Sequence, residues 1–421
     1  MSPCPVVHFD HHSPEHAADP VASYRALREQ GPVAWSDAHG GYWIISGYDA
    51  VFAAARDDDV FSSARTSDGG EGLTVVIPKT PMHLHIPIEL DPPDFRKYRK
   101  IINAITAPAA IDRMTRMIDF YCTWFVDQVI ERGKCDFTEI IGVPSIVTVD
   151  WLGLPVEDWR RYASAHRATL AHPKGSAEYT HAVEVDHPYL AEQMRTTIAA
   201  RAREPKDDAI SFLLASSVDD RPLTEDEVFS MVDLLVAGGT VTTSNLVSQA
   251  LIWLYQHQDE RRRLMENPDL LDRAIEEFLR CFAPSQALAR TVIQDVEFFG
   301  CSLKKGDRAL LVWASANRDE AGGFDHPDEL DIERWPNRHT SFGIGVHRCA
   351  GSHLGRAMGK RLLTEVLTRM PDYEIDLDGL VPYQSQGANF GYARVPARFA
   401  PGPRVLPPDA ASPSDVPAAA G

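Results

Sequence analysis

The chain has no apolar run of about 18 residues, which excludes a conventional membrane-spanning helix, and residues 1–23 lack the apolar core of a secretory signal. A cytoplasmic location is therefore expected. Cysteine is scarce: Cys4, Cys122, Cys135, Cys281, Cys301 and Cys349 are scattered with no CxxC pair, which argues against a disulfide framework and a structural zinc site. Most of them are expected to be small buried apolar groups. Positive charge is also short, with 42 Lys and Arg against 60 Asp and Glu, a formal net charge of −18. Nucleic acid and anionic membranes are therefore not expected partners. There is no internal repeat, no glycine-rich flavin or NAD fingerprint and no iron–sulfur cysteine set. The 421 residues are enough, by length alone, for two or three domains.

What is present is mostly helical. "PVASYRALREQ" predicts a helix stopped by Gly31 and Pro32, and "PVAW" and "GYWIISGY" predict two strands of a small sheet. Residues 62–90 carry Gly, Pro and Ser without a sustained period and predict a long loop of functional interest. From 91 to about 286 helix dominates, with strand-like residues following at 295–314. One long, buried helix of about thirty residues is expected after Thr224 and Glu227, which have capping-box spacing. The Pro-, Ala- and Ser-rich residues 407–421 predict a disordered tail.

Three patterns point to chemistry. Inside the long helix, Gly238, Gly239, Thr240, Thr242 and Thr243 are poor or indifferent helix formers, at about 1 kcal/mol per glycine relative to alanine. Close helix packing would explain them; so would a local distortion, with Thr242 bonding back toward Gly238 and a groove admitting a small molecule. "EEFLR" places Glu277 and Arg280 at i and i+3, a spacing that alone usually means solvated helix decoration. "SFGIGVHRCAG" puts Cys349 beside His347 in a glycine-studded loop. A zinc site of His347, Cys349 and His353 would need a fourth ligand and lacks the usual spacing.

Together these segments resemble the cytochrome P450 family, the haem-thiolate monooxygenases, over nearly the whole chain. "FGIGVHRCAG" fits the family's FGxGxHxCxG loop, Glu277 and Arg280 fit ExxR with Arg334 as third partner, and "ANRD" at 316–319 also fits. The resemblance implies a mainly helical fold with a small β portion, forming a single catalytic domain over 1–406. It implies haem b held by Cys349, whose thiolate pushes electron density that favours O–O cleavage. Phe342, Gly343, Gly345 and Gly351 would shape the loop and let backbone N–H groups reach the sulfur. His347, Arg290 and Arg99 would contact the haem propionates.

Two departures follow from the same resemblance. "DPPDFRKYR" has Phe95 where the family has a haem-contacting histidine, so a propionate contact is missing or supplied by a group such as His83 or His85. "GGTVT" has Val241 where the family has a proton-relaying acid beside Gly239 and Thr242. Valine relays no proton, which leaves open an oxygenase with another proton route and a peroxide-driven or non-oxygenating enzyme.

Further implications are O2 as co-substrate and electrons from a ferredoxin with its reductase, docking on Arg96, Lys97, Lys100, Arg348, Arg356, Lys360 and Arg361. A monomer is expected, hydroxylating or O/N-demethylating a small apolar substrate. Pocket walls would come from the 62–90 loop, residues 164–195, the long helix and the stretches 285–289 and 386–392. Leu235, Gly238, Leu288 and Phe390 are the expected substrate contacts.

Overall fold

The computed structural model describes residues 4–67, 71–407, 410 and 412. A six-stranded mixed sheet is built from β1 (Val6–Val7), β2 (Val33–Ser36), β3 (Tyr42–Ile45), β4 (Phe61–Ser62), β5 (Leu288–Val292) and β6 (Arg308–Leu311). Its spatial order is β1-β2-β3-β6-β5-β4. Trp35 faces Trp43 across the antiparallel β2–β3 pair, while Leu310 pairs with Ile44 in parallel on one side and with Ala289 antiparallel on the other. Strand alternation then turns Leu288 and Arg290 to one face of β5.

The helices that frame the site are α1 (Pro20–Gln30), α2 (Asp94–Thr106), α3 (Thr115–Asp127), α4 (Val143–Leu152), α5 (Trp159–Ala171), α6 (His187–Arg203), α7 (Glu225–Gly239), α8 (Thr242–Gln256), α9 (Leu271–Phe282) and α10 (Ser352–Arg369). α1 ends at Gly31 with φ of 144°, as the Gly-Pro stop predicts. The main core gathers the inner faces of α3, α4, α7, α8, α9 and α10. α10 lies against α8, where its Gly355 and Gly359 approach Thr243 and Leu246. No helix among the described residues is long and apolar enough to cross a membrane.

Three expectations are corrected. The single long helix is two: the reciprocal Thr224–Glu227 capping box opens α7, but Thr240 and Val241 separate α7 from α8. Cys4 and Cys301 are joined in a disulfide, their Cα atoms 5.5 Å apart and 297 residues apart in sequence, so the absence of a CxxC pair did not exclude one. The tail at 407–421 falls mostly outside the described residues; at its base Ala410 is buried in the main core and its N–H donates to Pro407 O, so that point is packed.

Candidate active site

The break between α7 and α8 separates the roles of two adjacent glycines. A Cβ on Gly239 would stand 2.5 Å from Thr148 Oγ1 on α4, so Gly239 is required for the close approach of two helices. A Cβ on Gly238 would meet nothing within 4 Å; this exposed glycine keeps a gap open. Thr242 Oγ1 donates to Gly238 O at 3.2 Å, the back-bond expected of a distorted helix. Val241 is only 2% exposed and belongs to the core, so the side chain at the family's acid position is both apolar and buried.

The loop before α10 is closed by its own backbone. The N–H of Cys349 donates to Phe342 O at 2.7 Å and that of Gly343 to Thr340 O at 2.7 Å. Gly343 and Gly345 have φ of 67° and 74°, and a Cβ on Gly345 would strike Ala55 O at 2.4 Å. The Gly351 N–H faces the sulfur, at the start of α10. Cys349 is a free cysteine with accessible surface, unlike the buried Cys122, Cys135 and Cys281. Desolvation raises its pKa, opposed by the Gly351 N–H and by Arg99, Arg348 and Arg356.

Desolvated polar groups gather around His347, two residues before this thiol. Arg290 is 4% exposed, and its guanidinium donates to the adjacent Ala289 O; burial lowers its pKa to about 10. Both ring nitrogens of His347 are buried and unbonded, and burial with Arg290 and Arg99 nearby brings its pKa to about 2. Arg99 is desolvated, spending its donors on Asn103 Oδ1 and Arg348 O. Desolvated cations that form no ion pair, Arg290 feeling Asp91 and Asp58 only through space, call for anionic oxygens, and a buried neutral imidazole calls for a hydrogen-bond partner. Together with the open space at Gly238 and the accessible thiol, this donor set fits a haem with two propionates.

Phe95 fills the place of the absent histidine by packing its ring on His347, with centroids 4.3 Å apart. Of the two loop histidines, His83 packs edge-on against Phe229 and His85 Nε2 bonds Asp233 at 3.2 Å, both in the wall of the cavity that adjoins this arrangement. The zinc alternative also fails, since among the described residues only Asp10, His11 and His39 form a group of three close enough for one ion.

The loop is anchored by a buried charge network. Glu277 and Arg280 are fully buried and paired through two bonds of 2.7 and 2.8 Å, with Arg334 Nε on Glu277 Oε1 at 3.1 Å. Burial acts to raise the Glu277 pKa, but the bonds from Arg280, Asp331 N–H and Arg334 bring it below the ordinary carboxylate value. Asn317 of the "ANRD" stretch carries the network to the loop: its amide bonds Arg280 O and Ser341 Oγ, and its oxygen takes the Thr340 N–H. Asn337, bonded to Glu277 at 2.9 Å, carries no signal in the sequence. Neither does Glu276, whose carboxylate holds Arg356 of α10 and His339 and is brought to about 2 by them, against the opposing effect of burial.

A cavity of 970 Å³ adjoins the α7 end of this arrangement. The expected segments do line it, through the 62–90 loop, α5 and α6, α7 and the 285–289 and 385–389 stretches. Leu288 is in its wall. Leu235, Gly238 and Phe390 are not: Leu235 packs on the main core, Gly238 faces its own gap, and Phe390 spends its backbone on Pro284 and Gln249, while Asp233, Ala237 and Asn389 take the wall positions. The expected apolar lining is also incomplete. Eight of the chain's 16 histidines reach this cavity: His11, His12 and His39, then His83 and His85, then His166, His172 and His187.

Comparisons with known proteins agree with this geometry. The family model "Cytochrome P450" matches residues 177–371. The chain is 32% identical over 388 residues to the steroid C26-monooxygenase of Mycobacterium tuberculosis (strain ATCC 25618 / H37Rv), covering 91% of this chain and 94% of the relative. It is 30% identical to the polyketide biosynthesis cytochrome P450 PksS of Bacillus subtilis (strain 168), over 87% of this chain and 92% of that one. Among solved structures, CYP109E1 from Bacillus megaterium in complex with testosterone superposes with a TM-score of 0.79 at 28% identity, covering 92% of this chain and 99% of that one. A chain so similar along its length, carrying a closed cysteine loop, a buried Glu277–Arg280–Arg334 network and a broken helix opposite, belongs to the cytochrome P450 family of haem b monooxygenases.

Proposed function

We propose that Cys349 is the thiolate ligand of the haem, that Arg99, Arg290 and His347 hold its propionates, and that residues 1–406 act as one catalytic unit. The observation that carries this reading is the buried Arg290, which feels Asp91 and Asp58 but forms no ion pair, beside an unbonded His347 and an accessible Cys349 thiol. When bound, the haem supplies O2 activation and insertion of one oxygen atom into the substrate. Phe342, Gly343 and Gly351 fix the sulfur and aim a backbone N–H at it, which moderates its donation. Glu277, Arg280 and Arg334 position that loop through Asn317. Thr242 presents a hydroxyl beside Gly238 and Gly239, where it can orient water and hold a proton, and it does so without an acid at Val241.

The substrate of this reading is a small, mainly apolar organic molecule, hydroxylated or O/N-demethylated in the cytoplasm by a monomer. Electrons come from a ferredoxin and its reductase. Of the seven cations expected to dock it, Lys97, Arg356, Lys360 and Arg361 are ion-paired with Asp94 and Asp219, Glu276, Asp272, and Asp119 and Glu365 respectively. Arg96, Lys100 and Arg348 remain to face an acidic partner. The buried Val241 keeps a second reading, peroxide-driven or non-oxygenating chemistry, in competition. Single-turnover product formation separates them: the oxygenase requires ferredoxin, reductase and O2, whereas product from hydrogen peroxide alone at an equal or higher rate would favour the second.

A further inference from the structure

We propose that Asp10, His11 and His39 form a binding site for one divalent transition-metal ion of the zinc class, at the mouth of the 970 Å³ cavity whose wall they share. One ligand atom from each of the three lies within 4.8 Å of the other two. Bonds of about 2.0–2.2 Å around such an ion place its ligand atoms roughly 3–4 Å apart, so a small side-chain rotation separates this set from a coordinated one. The fold brings the three together from two segments. β1 pairs with β2 in parallel, Val7 opposite Ser36, so the two arms leave the sheet side by side. Ser36 Oγ donates to Phe9 O and accepts the Phe9 N–H, and the Tyr42 hydroxyl donates to Phe9 O at 2.6 Å, which fixes the backbone just before Asp10. His39 lies in the turn between β2 and β3 with φ of 54° and ψ of 29°, a left-handed conformation that brings its ring onto Asp10.

The donors select the ion. His39 Nε2 and the His12 N–H both meet Asp10 Oδ1 at 2.8 Å, and among the described residues no hydrogen bond reaches Asp10 Oδ2. No lysine or arginine pairs with Asp10 among the described residues; its charged neighbours are the imidazoles of His39 and His12. The cluster is open to an incoming ion, because the Asp10 and His39 side chains are 29% and 22% exposed while His11 is buried behind them. Magnesium and calcium take oxygen ligands, whereas two imidazoles and one carboxylate match zinc, whose three-ligand sites keep a fourth position open. His12 is not the fourth ligand: its nitrogens are spent on Ser385 Oγ at 2.8 Å and Ile77 O at 2.9 Å. The open position is left to water or to a donor atom of a molecule in the cavity. A bound ion would tie the segment after β1 to the β2–β3 turn at that mouth.

The test uses haem-loaded protein, stripped of adventitious metal with a chelator, in equilibrium dialysis against zinc followed by elemental analysis. Wild type is expected to hold one zinc per chain at about 10 μM free zinc, and about a thousandfold excess of magnesium to leave it in place. Asp10→Asn keeps the shape of the side chain, and His39→Asn keeps a residue that tolerates the left-handed turn. Each is expected to weaken zinc binding about tenfold or more, whereas His172→Asn, in the same cavity wall but outside the group, should leave it within about twofold. No zinc on wild type at that concentration, displacement by magnesium, or an affinity that survives both Asp10→Asn and His39→Asn overturns the proposal. If one of those variants does not accumulate with haem, the other decides. The readout is metal content, so the result does not depend on which oxidation the haem performs.

Discussion

Gly239 and Thr148 lie so close that a single methyl group would not fit between them: a Cβ on Gly239 would be 2.5 Å from Thr148 Oγ1 and 3.0 Å from its Cγ2. Gly238, one residue away, has free space around its Cβ position. Gly239→Ala should therefore cost about 1–3 kcal/mol through overpacking, whereas Gly238→Ala should be neutral or stabilising by up to about 1 kcal/mol. Gly238→Ala should instead perturb the haem absorption band, because its methyl enters the gap. Denaturant unfolding and absorption spectra of both variants decide this; equal stability losses would contradict the distinction.

The buried Glu277 serves Arg280, Arg334, Asn337 and the Asp331 N–H at once. Glu277→Gln should destabilise the fold by about 3–5 kcal/mol, because two arginines lose their counter-charge where water cannot replace it. The loop should loosen as well, lowering the fraction of purified protein that retains haem. A Glu277→Gln protein with wild-type unfolding and haem content would show that the network does not anchor the loop.

Acid sensitivity has a specific contributor in Glu276. Its folded pKa is about 2, below the ordinary glutamate value of 4.5, so its stabilisation is fully present above that ordinary value and is lost as pH falls from about 4.5 toward 2. In Glu276→Gln this contribution should be absent at every pH, so the stability difference from wild type should be largest at neutral pH and vanish near pH 2. Stability measured across that window with a pH-independent difference would refute the pairing with Arg356 and His339.

Thr242 and Val241 divide the proton problem. Thr242→Ala removes the hydroxyl that bonds back to Gly238 at the start of α8, and the expected result is a fall of about tenfold or more in product formed per electron consumed, with the haem spectrum retained. Unchanged coupling would show that protons arrive without Thr242.

Much of this was legible in the sequence, and the reasons differ by element. The Thr224–Glu227 cap and the Gly31 stop are local, and local hydrogen bonding realises them as read. The Cys349 loop was legible because its glycines and cysteine answer to one compact backbone path. The helix break was legible as a cost in propensity, but its two-residue length depends on how α4 presses on Gly239. The Cys4–Cys301 pair joins residues 297 positions apart in sequence, which no spacing encodes. The histidine-lined cavity was invisible for the same reason: its eight rings come from segments far apart in sequence, around residues 11, 39, 84, 169 and 187. Leu235 and Phe390 do not line this cavity; the neighbouring Asp233, Ala237 and Asn389 do, because a shift of one or two residues turns a side chain to another face.

The most direct measurement is the reduced carbon-monoxide spectrum of wild type beside Cys349→Ala. The wild type should give the band of a haem with a thiolate ligand, and the variant should lose it while its far-ultraviolet circular dichroism stays that of a folded helical protein. A thiolate band retained in Cys349→Ala would contradict the assignment of Cys349.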